Sequence, residues 1–322
     1  FFATIMLSSL GASVFLQNTP RQSENTEVTS TGTPADNFPD AQRIKFCGSG
    51  DAKSTPFVKE YRIPTACTNP LAIVADYDGN VWFAQTNTGK LAKFDPTAES
   101  FTEFDNKLWP KNGRSMIWGI DYSPDGSLWY TDESYDSIWR FSIQDQKYQR
   151  IAYPSEGDSL PQKLKVDGSQ IVINDFTGNK ITFLDPTQTN DNLRYLNLPS
   201  PVNGSVTGAF AIDNDKNVWY TNWLFQQGGV LIKFDQEGYR NSIANVNGEY
   251  LPSIDYIQVF QLPFELLTPN GMAVSDGMIW LADTSSSAIF SFDPGTQQFT
   301  QYITSDPKLS TYGNSTGVIK SP

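Results

Sequence analysis

The 322-residue chain contains no histidine and only two cysteines, Cys47 and Cys67. Those two residue types supply most soft metal ligands and most nucleophile–base pairs working near neutral pH. No Gly-rich phosphate loop, nucleophile elbow or Cys/His metal spacing occurs either. Charge is sparse and lopsided: 23 basic against 35 acidic residues leave a net charge of −12. Nucleic acid is thereby excluded as a partner, because phosphate binding needs clustered Lys and Arg. A cation is the one partner that the balance favours. Long apolar runs are also missing. The opening stretch Phe1–Leu16 is uncharged and mostly apolar, but shorter than the roughly 20 residues of a spanning helix.

Residues 1–16 read as the remnant of a signal peptide or membrane anchor, the alternative being a buried N-terminal strand. On that reading the protein is extracytoplasmic, secreted or tethered, and meets a membrane only through this segment. Residues 17–45, rich in Thr, Ser, Asn, Pro and Glu, form a flexible linker. Cys47 and Cys67 flank the first strand; a disulfide between them would contribute about 3 kcal/mol in the chain-entropy model. Two unpaired thiols are the alternative. Asn203-Gly-Ser205 and Asn314-Ser-Thr316 are acceptor sequons that matter only in a glycosylating pathway.

What is abundant is a repeated phrase. Asp78-Gly-Asn-Val-Trp-Phe-Ala-Gln85 returns as Asp125-Gly-Ser-Leu-Trp-Tyr-Thr-Asp132, Gly168-Ser-Gln-Ile-Val-Ile-Asn-Asp175, Asp215-Lys-Asn-Val-Trp-Tyr-Thr-Asn222 and Asp276-Gly-Met-Ile-Trp-Leu-Ala-Asp283. The copies start 47, 43, 47 and 61 residues apart. A period in the forties without helical patterning marks a β-propeller, one four-stranded antiparallel blade per repeat. Residues 46–322 are therefore expected to form an all-β propeller. Within a blade, Asp-Gly turns strand A into strand B. Strand C reads Lys90-Leu-Ala-Lys-Phe94, Ser137-Ile-Trp-Arg-Phe141, Lys180-Ile-Thr-Phe-Leu184, Val230-Leu-Ile-Lys-Phe234 and Ala288-Ile-Phe-Ser-Phe292, and strand D follows. Trp82, Trp129, Trp219 and Trp280 share one offset, with Val172 in the third copy, and are expected to pack between blades. Five blades are visible. The alternating stretch Phe57–Ile63 reads as a closing strand D, so the chain is expected to be a truncated six- or seven-bladed ring.

Asp-x-x-Val-Trp-Phe/Tyr-Ala/Thr-polar, Lys-Leu-x-Lys-Phe-Asp-Pro and the segment Glu60-Tyr-Arg-Ile-Pro64 resemble the streptogramin (virginiamycin) B lyase-like propellers, from about residue 57 onward. NHL-repeat and SMP-30/gluconolactonase propellers share part of this pattern. Thr268-Pro-Asn-Gly-Met-Ala273 is similar to a strand A of the SMP-30 type, in which the Asn binds metal. The resemblance implies a seven-bladed fold and magnesium-dependent opening of a cyclic depsipeptide by elimination at an ester. The family's lyases use histidines alongside glutamate, and this chain offers none to carry over.

The polar residues ending strand B, namely Gln85, Asp132, Asp175, Asn222 and Asp283, are expected on the channel face. Oxygen ligands of this kind suit Mg²⁺ or Ca²⁺, so Asp132, Asp175, Asn270 and Asp283 are the candidate metal ligands. Asp132, Glu133 and Asp175 are the candidate catalytic carboxylates. The competing reading is that each strand-B residue caps its own turn. Gln85, Trp109, Trp118, Asn222 and Trp223, with Phe225, are the candidate ligand-binding residues, the aromatics offering a stacking wall. Packing is their alternative role. The insertion Gln236–Tyr256 lies in a C–D connection and suits a partner contact. The expected function is a binding module that takes a small molecule, glycan or protein at the channel face. The alternative is a magnesium-dependent lyase or a lactone hydrolase.

Overall fold

The computed structural model describes residues 52–303, apart from 111–112, 114, 155–158, 189–194, 225–226, 245–252 and 287. The apolar start, the linker, Cys47, Phe225 and the second sequon lie outside the described residues. The described strands form five four-stranded antiparallel sheets, each an up-and-down meander in chain order. The first is β1 (Pro70–Ala75), β2 (Val81–Gln85), β3 (Lys90–Asp95) and β4 (Ser100–Phe104). The second is β5 (Ile120–Ser123), β6 (Ser127–Asp132), β7 (Ser137–Ser142) and β8 (Lys147–Ala152). The third comprises β9 (Pro161–Asp167), β10 (Gln170–Asp175), β11 (Lys180–Leu184) and β12 (Tyr195–Pro199). The fourth comprises β13 (Val206–Ile212), β14 (Val218–Leu224), β15 (Gly228–Phe234) and β16 (Ile257–Gln261), and the fifth β17 (Pro269–Ser275), β18 (Met278–Asp283), β19 (Ala288–Asp293) and β20 (Gln298–Ile303). This is the β-propeller that the repeat announced.

The A–B hairpins turn where the sequence supplies a left-handed residue. Gly79, Gly126, Gly168 and Gly277 take φ of 82°, 76°, 64° and 75°. Blade 4 has Lys216 there at φ 67°, and Gln236 Nε2 donates to its carbonyl at 3.2 Å. Gln236 begins α1 (Gln236–Ala244), part of the insertion between β15 and β16. Asp235 caps that helix by accepting from the Gly238 N–H at 2.8 Å, and Tyr239 packs on Phe234 with ring centres 5.5 Å apart. The first turn of the insertion therefore lies against its own blade.

Register confirms the repeat alignment. Trp82 pairs with Val74 and Lys93, Trp219 with Ala211 and Lys233, Trp280 with Ala273 and Ser291. Trp129 pairs with Asp121 and Arg140 in the same way. Three of these indoles are buried, whereas Trp280 is only half-buried. The closing strand is different from expectation. Residues 57–63 join none of the five sheets; the segment folds back through a single bridge, Ser54 to Lys59. Its pairing partner would be a strand C that the described residues do not contain.

The contacts divide the chain into two compact units. One takes residues up to Ser155 with Pro161–Ile171, the other Glu156–Leu160 with Val172 onward. In the first, a core joins Ala72, Trp82, Ala84 and Leu91 of blade 1 to Ile117, Ile120, Leu128, Tyr130, Trp139 and Phe141 of blade 2. In the second, one core links Val172, Ile181, Phe183 and Leu198 to Phe210, Tyr220 and Phe234. Another links Trp219 and Leu231 to Leu281, Phe290 and Phe292.

Candidate functional site

The last residue of each strand B is fully buried, because the B–C turn folds over it. In blade 2, Asp132 accepts from Trp139 Nε1 at 2.8 Å, the Tyr135 N–H at 3.2 Å and Ser115 Oγ. Burial pushes this carboxyl above the usual range, and the Ser115, Trp139 and Tyr135 donors pull only part of the way back. In blade 3, Asp175 accepts from the Leu160 N–H at 2.7 Å, the Gly178 N–H at 2.9 Å and Ser159 Oγ, with Lys180 Nζ 3.8 Å away. In blade 5, Asp283 receives the N–H groups of Leu267, Thr268 and Ser285 at 3.1, 2.9 and 3.0 Å. The Thr268 and Ser286 hydroxyls add bonds of 2.7 and 2.8 Å.

The three aspartates thus share one task. Each ties the segment entering strand A to the turn leaving strand B within its own blade. Their oxygens face N–H and O–H donors, an arrangement that suits a turn cap and not a cation. Among the described residues, no three His, Cys, Asp or Glu side chains are grouped to hold a metal ion. Asn270 is a half-exposed bulge residue between Pro269 and Gly271, and it does not gather the aspartates around it. The donor set does not fit magnesium.

Gln85 and Asn222 fill the same place with amides. Gln85 Nε2 donates to Glu103 Oε1 at 2.8 Å, and its Oε1 accepts from Thr88 Oγ1 at 3.3 Å. Glu103 also accepts from the Thr65 hydroxyl. Asn222 Nδ2 donates to Thr207 Oγ1 at 3.0 Å, to Asn179 Oδ1 at 3.3 Å and to the Val206 carbonyl at 3.4 Å. Its Oδ1 is buried with no partner. The neighbouring Trp223 is 3% exposed, and its Nε1 is likewise buried and unpartnered. The end of β14 therefore holds one unsatisfied acceptor and one unsatisfied donor.

The other candidates separate into packers and rim residues. Trp109 Nε1 donates to the Gly113 carbonyl at 2.9 Å, and its ring packs on Tyr135 and Trp139. A Cβ at Gly89 would lie 2.1 Å from that ring, so the indole is seated on the glycine. Trp118 and Glu133 form a half-buried pair, with Trp118 Nε1 donating to Glu133 Oε2 at 2.5 Å. That bond orients both side chains and occupies the carboxylate.

The penultimate position of the phrase escaped the sequence reasoning. Thr131 Oγ1 donates to the Gln162 carbonyl at 2.6 Å, Asn174 Nδ2 to the Gly208 carbonyl at 2.9 Å and Thr221 Oγ1 to the Pro269 carbonyl at 3.0 Å. In three blades this side chain reaches strand A of the following blade. The signal was visible as small or polar residues recurring after the Trp-aromatic pair.

No family model matches the sequence, and no curated protein does so either. Solved structures do match by shape. A streptogramin B lyase shares 19% identity at a TM-score of 0.61, over 77% of this chain and 73% of that one. A catalytically inactive virginiamycin B lyase from Staphylococcus aureus, solved with quinupristin, shares 18% identity at 0.58, over 76% and 73%. The extracellular domain of a putative one-component system from B. thetaiotaomicron shares 15% identity at 0.52, over 77% of this chain and 33% of that one. At these identities the likeness is one of fold.

Proposed function

We propose that this propeller is an exported binding module that takes a polar small molecule, glycan or peptide at the strand-B end of blade 4, without lyase chemistry. The unpartnered Asn222 Oδ1 and Trp223 Nε1 carry the proposal. Buried polar groups are ordinarily satisfied, and each one left over calls for a ligand or an ordered water. A ligand that offers a donor and an acceptor would meet both atoms. The bulge at Asn270, in the same unit, adds a half-exposed amide of the kind found beside binding sites. The structural neighbours include the extracellular domain of a putative sensor protein, which supports a binding role outside the cytoplasm.

The absence of lyase chemistry follows from how the carboxylates are used. A general base needs a lone pair aimed at substrate. Asp132, Asp175 and Asp283 spend theirs on turn N–H groups and hydroxyls, and Glu133 on Trp118. The chain has no histidine to replace them.

Quinupristin tests both halves, because it accompanies a lyase of this fold. Incubated with the protein and Mg²⁺, it should keep its chromatographic retention, since the ring stays closed. Titration followed by tryptophan fluorescence should show saturable quenching that Trp223→Phe removes. Ring opening would overturn the assignment as a non-lyase. Quenching unchanged in Trp223→Phe, or none across peptide and glycan panels, would remove blade 4 as the site.

A further inference from the structure

Two seams between blades share one aromatic arrangement, and a third has most of it. At the first, Trp82 of strand B stacks on Phe104 of strand D at 5.4 Å, and both meet Phe141 from strand C of the next blade, at 6.2 and 5.2 Å. At the second, in the other unit, Trp219 stacks on Phe260 at 6.0 Å, and both meet Phe292 at 6.0 and 4.8 Å. Each seam is thus a trio: a strand-B tryptophan, its own strand-D aromatic and the next blade's strand-C phenylalanine. Blade 1 presents that phenylalanine as Phe94, aligned with Phe141 and Phe292. Tyr61 sits on it at 4.5 Å, in the place of the strand-D aromatic. The tryptophan of this trio is missing among the described residues.

The face around it is bare where other blades are covered. Ile73 pairs with Phe83 as Ile120 pairs with Tyr130 and Phe210 with Tyr220. Ile120 and Phe210 are 7% and 5% exposed, whereas Ile73 is 67% exposed. Exposed apolar strand faces of this kind mark an interface. Blade 5, taken by itself, shows the opposite deficiency. Trp280 stacks on Tyr302 at 5.6 Å, but no strand-C phenylalanine covers the pair, and Tyr302 is 47% exposed.

We propose that residues 57–63 are the fourth strand of a further blade, and that its first three strands come from polypeptide C-terminal to β20. That three-stranded sheet seats on Ile73 and Phe94, lays a strand-B tryptophan on Tyr61 and pairs its strand C with the alternating segment Phe57–Ile63. Tyr61 selects this occupant over a second copy of the protein. Any complete blade, such as blade 5 of another molecule, would bring its own strand-D aromatic to Phe94, where Tyr61 already stands. Only a sheet lacking strand D fits.

Photo-crosslinking tests the seat. Ile73→benzoylphenylalanine in the full chain should give an intramolecular crosslink to a peptide beyond Ile303. The same substitution at Phe264, 84% exposed elsewhere, should not reach that peptide. A crosslinked dimer, a crosslink to β17–β20 or no crosslink at Ile73 would each overturn the proposal. Hydrogen exchange gives a second readout: the amides of 57–63 should exchange at least about tenfold more slowly than in a free peptide. Exchange at the free-peptide rate would also sink it.

Discussion

Asp76 shows how much of this fold rests on single carboxylates at turns. It accepts from the Asp78 and Asn80 N–H groups at 3.0 and 2.9 Å and from the buried Trp82 indole at 2.8 Å. Asp213 repeats the pattern with Asp215, Asn217 and Trp219. Burial raises the Asp76 pKa, but the bonds from Trp82, Asn80 and Asp78 together outweigh it and leave the group below the usual range. Asp76→Asn puts an amide N–H against these donors and should cost about 2 kcal/mol at neutral pH, through the unpaired indole. A depressed pKa stabilises above the unfolded value near 3.8 and stops doing so as pH falls through the folded value. The deficit of Asp76→Asn should therefore shrink under acid. Asp132 carries the opposite sign. Its folded pKa is raised, so ionisation costs stability as pH climbs from about 3.8 through the folded value. Asp132→Asn removes that loss, so its stability relative to wild type should improve over the same rise in pH. Urea unfolding between pH 3 and pH 7 measures both trends, and parallel trends would refute the assignment. Position 8 of the phrase was legible as a recurring acceptor. Its role was not, because capping and metal binding ask for the same residues, and only the donors around Asp283 separate them.

At the scale of strands, turns were the most readable part. Asp-Gly pairs predict the A–B hairpins, and strands C were located to within a residue or two at each end. Contacts between blades were not readable, since they depend on which backbone comes close to which. Gly208 makes the point: its φ needs no glycine, yet a Cβ there would lie 2.4 Å from Thr221 Oγ1 and 2.7 Å from the Pro269 carbonyl. Gly79 is the reverse case, at φ 82° with open space around it. Gly208→Ala should cost roughly 3 kcal/mol by overpacking the approach of β13 to β17. Gly79→Ala should cost about 1 kcal/mol through backbone strain. Thermal unfolding of the two variants gives the order. If Gly79→Ala proves the more damaging, the close approach between strands A is looser than the geometry indicates. The closing segment failed as a strand for a related reason. Phe57–Ile63 has the alternation of a strand, but a strand exists only beside a partner.

For the molecule as a whole, the five repeats make stability a matter of neighbours. Every aromatic trio is shared by two consecutive blades, so each blade is held by the seams on either side of it and not by a common core. The first trio lies in one unit and the second in the other. Damage at one seam should therefore be felt locally. Trp82→Ala should cost about 3–5 kcal/mol, as should Trp219→Ala, since both empty a buried site. Combined, their effects should add to within about 0.5 kcal/mol, whereas Trp82→Ala with Phe141→Ala should fall short of additivity by about 1 kcal/mol or more. The shortfall arises because the first substitution already strips Phe141 of its stacking partner, leaving less for the second to lose. Trp280→Ala supplies the contrast at the uncovered seam. If the described blades are all that covers Trp280, the variant should lose less than half of what Trp219→Ala loses, in proportion to the contacts absent. A loss as large as that at Trp219 would mean that a further sheet already packs on blade 5, and hydrogen exchange across β17–β20 would then show where it lies.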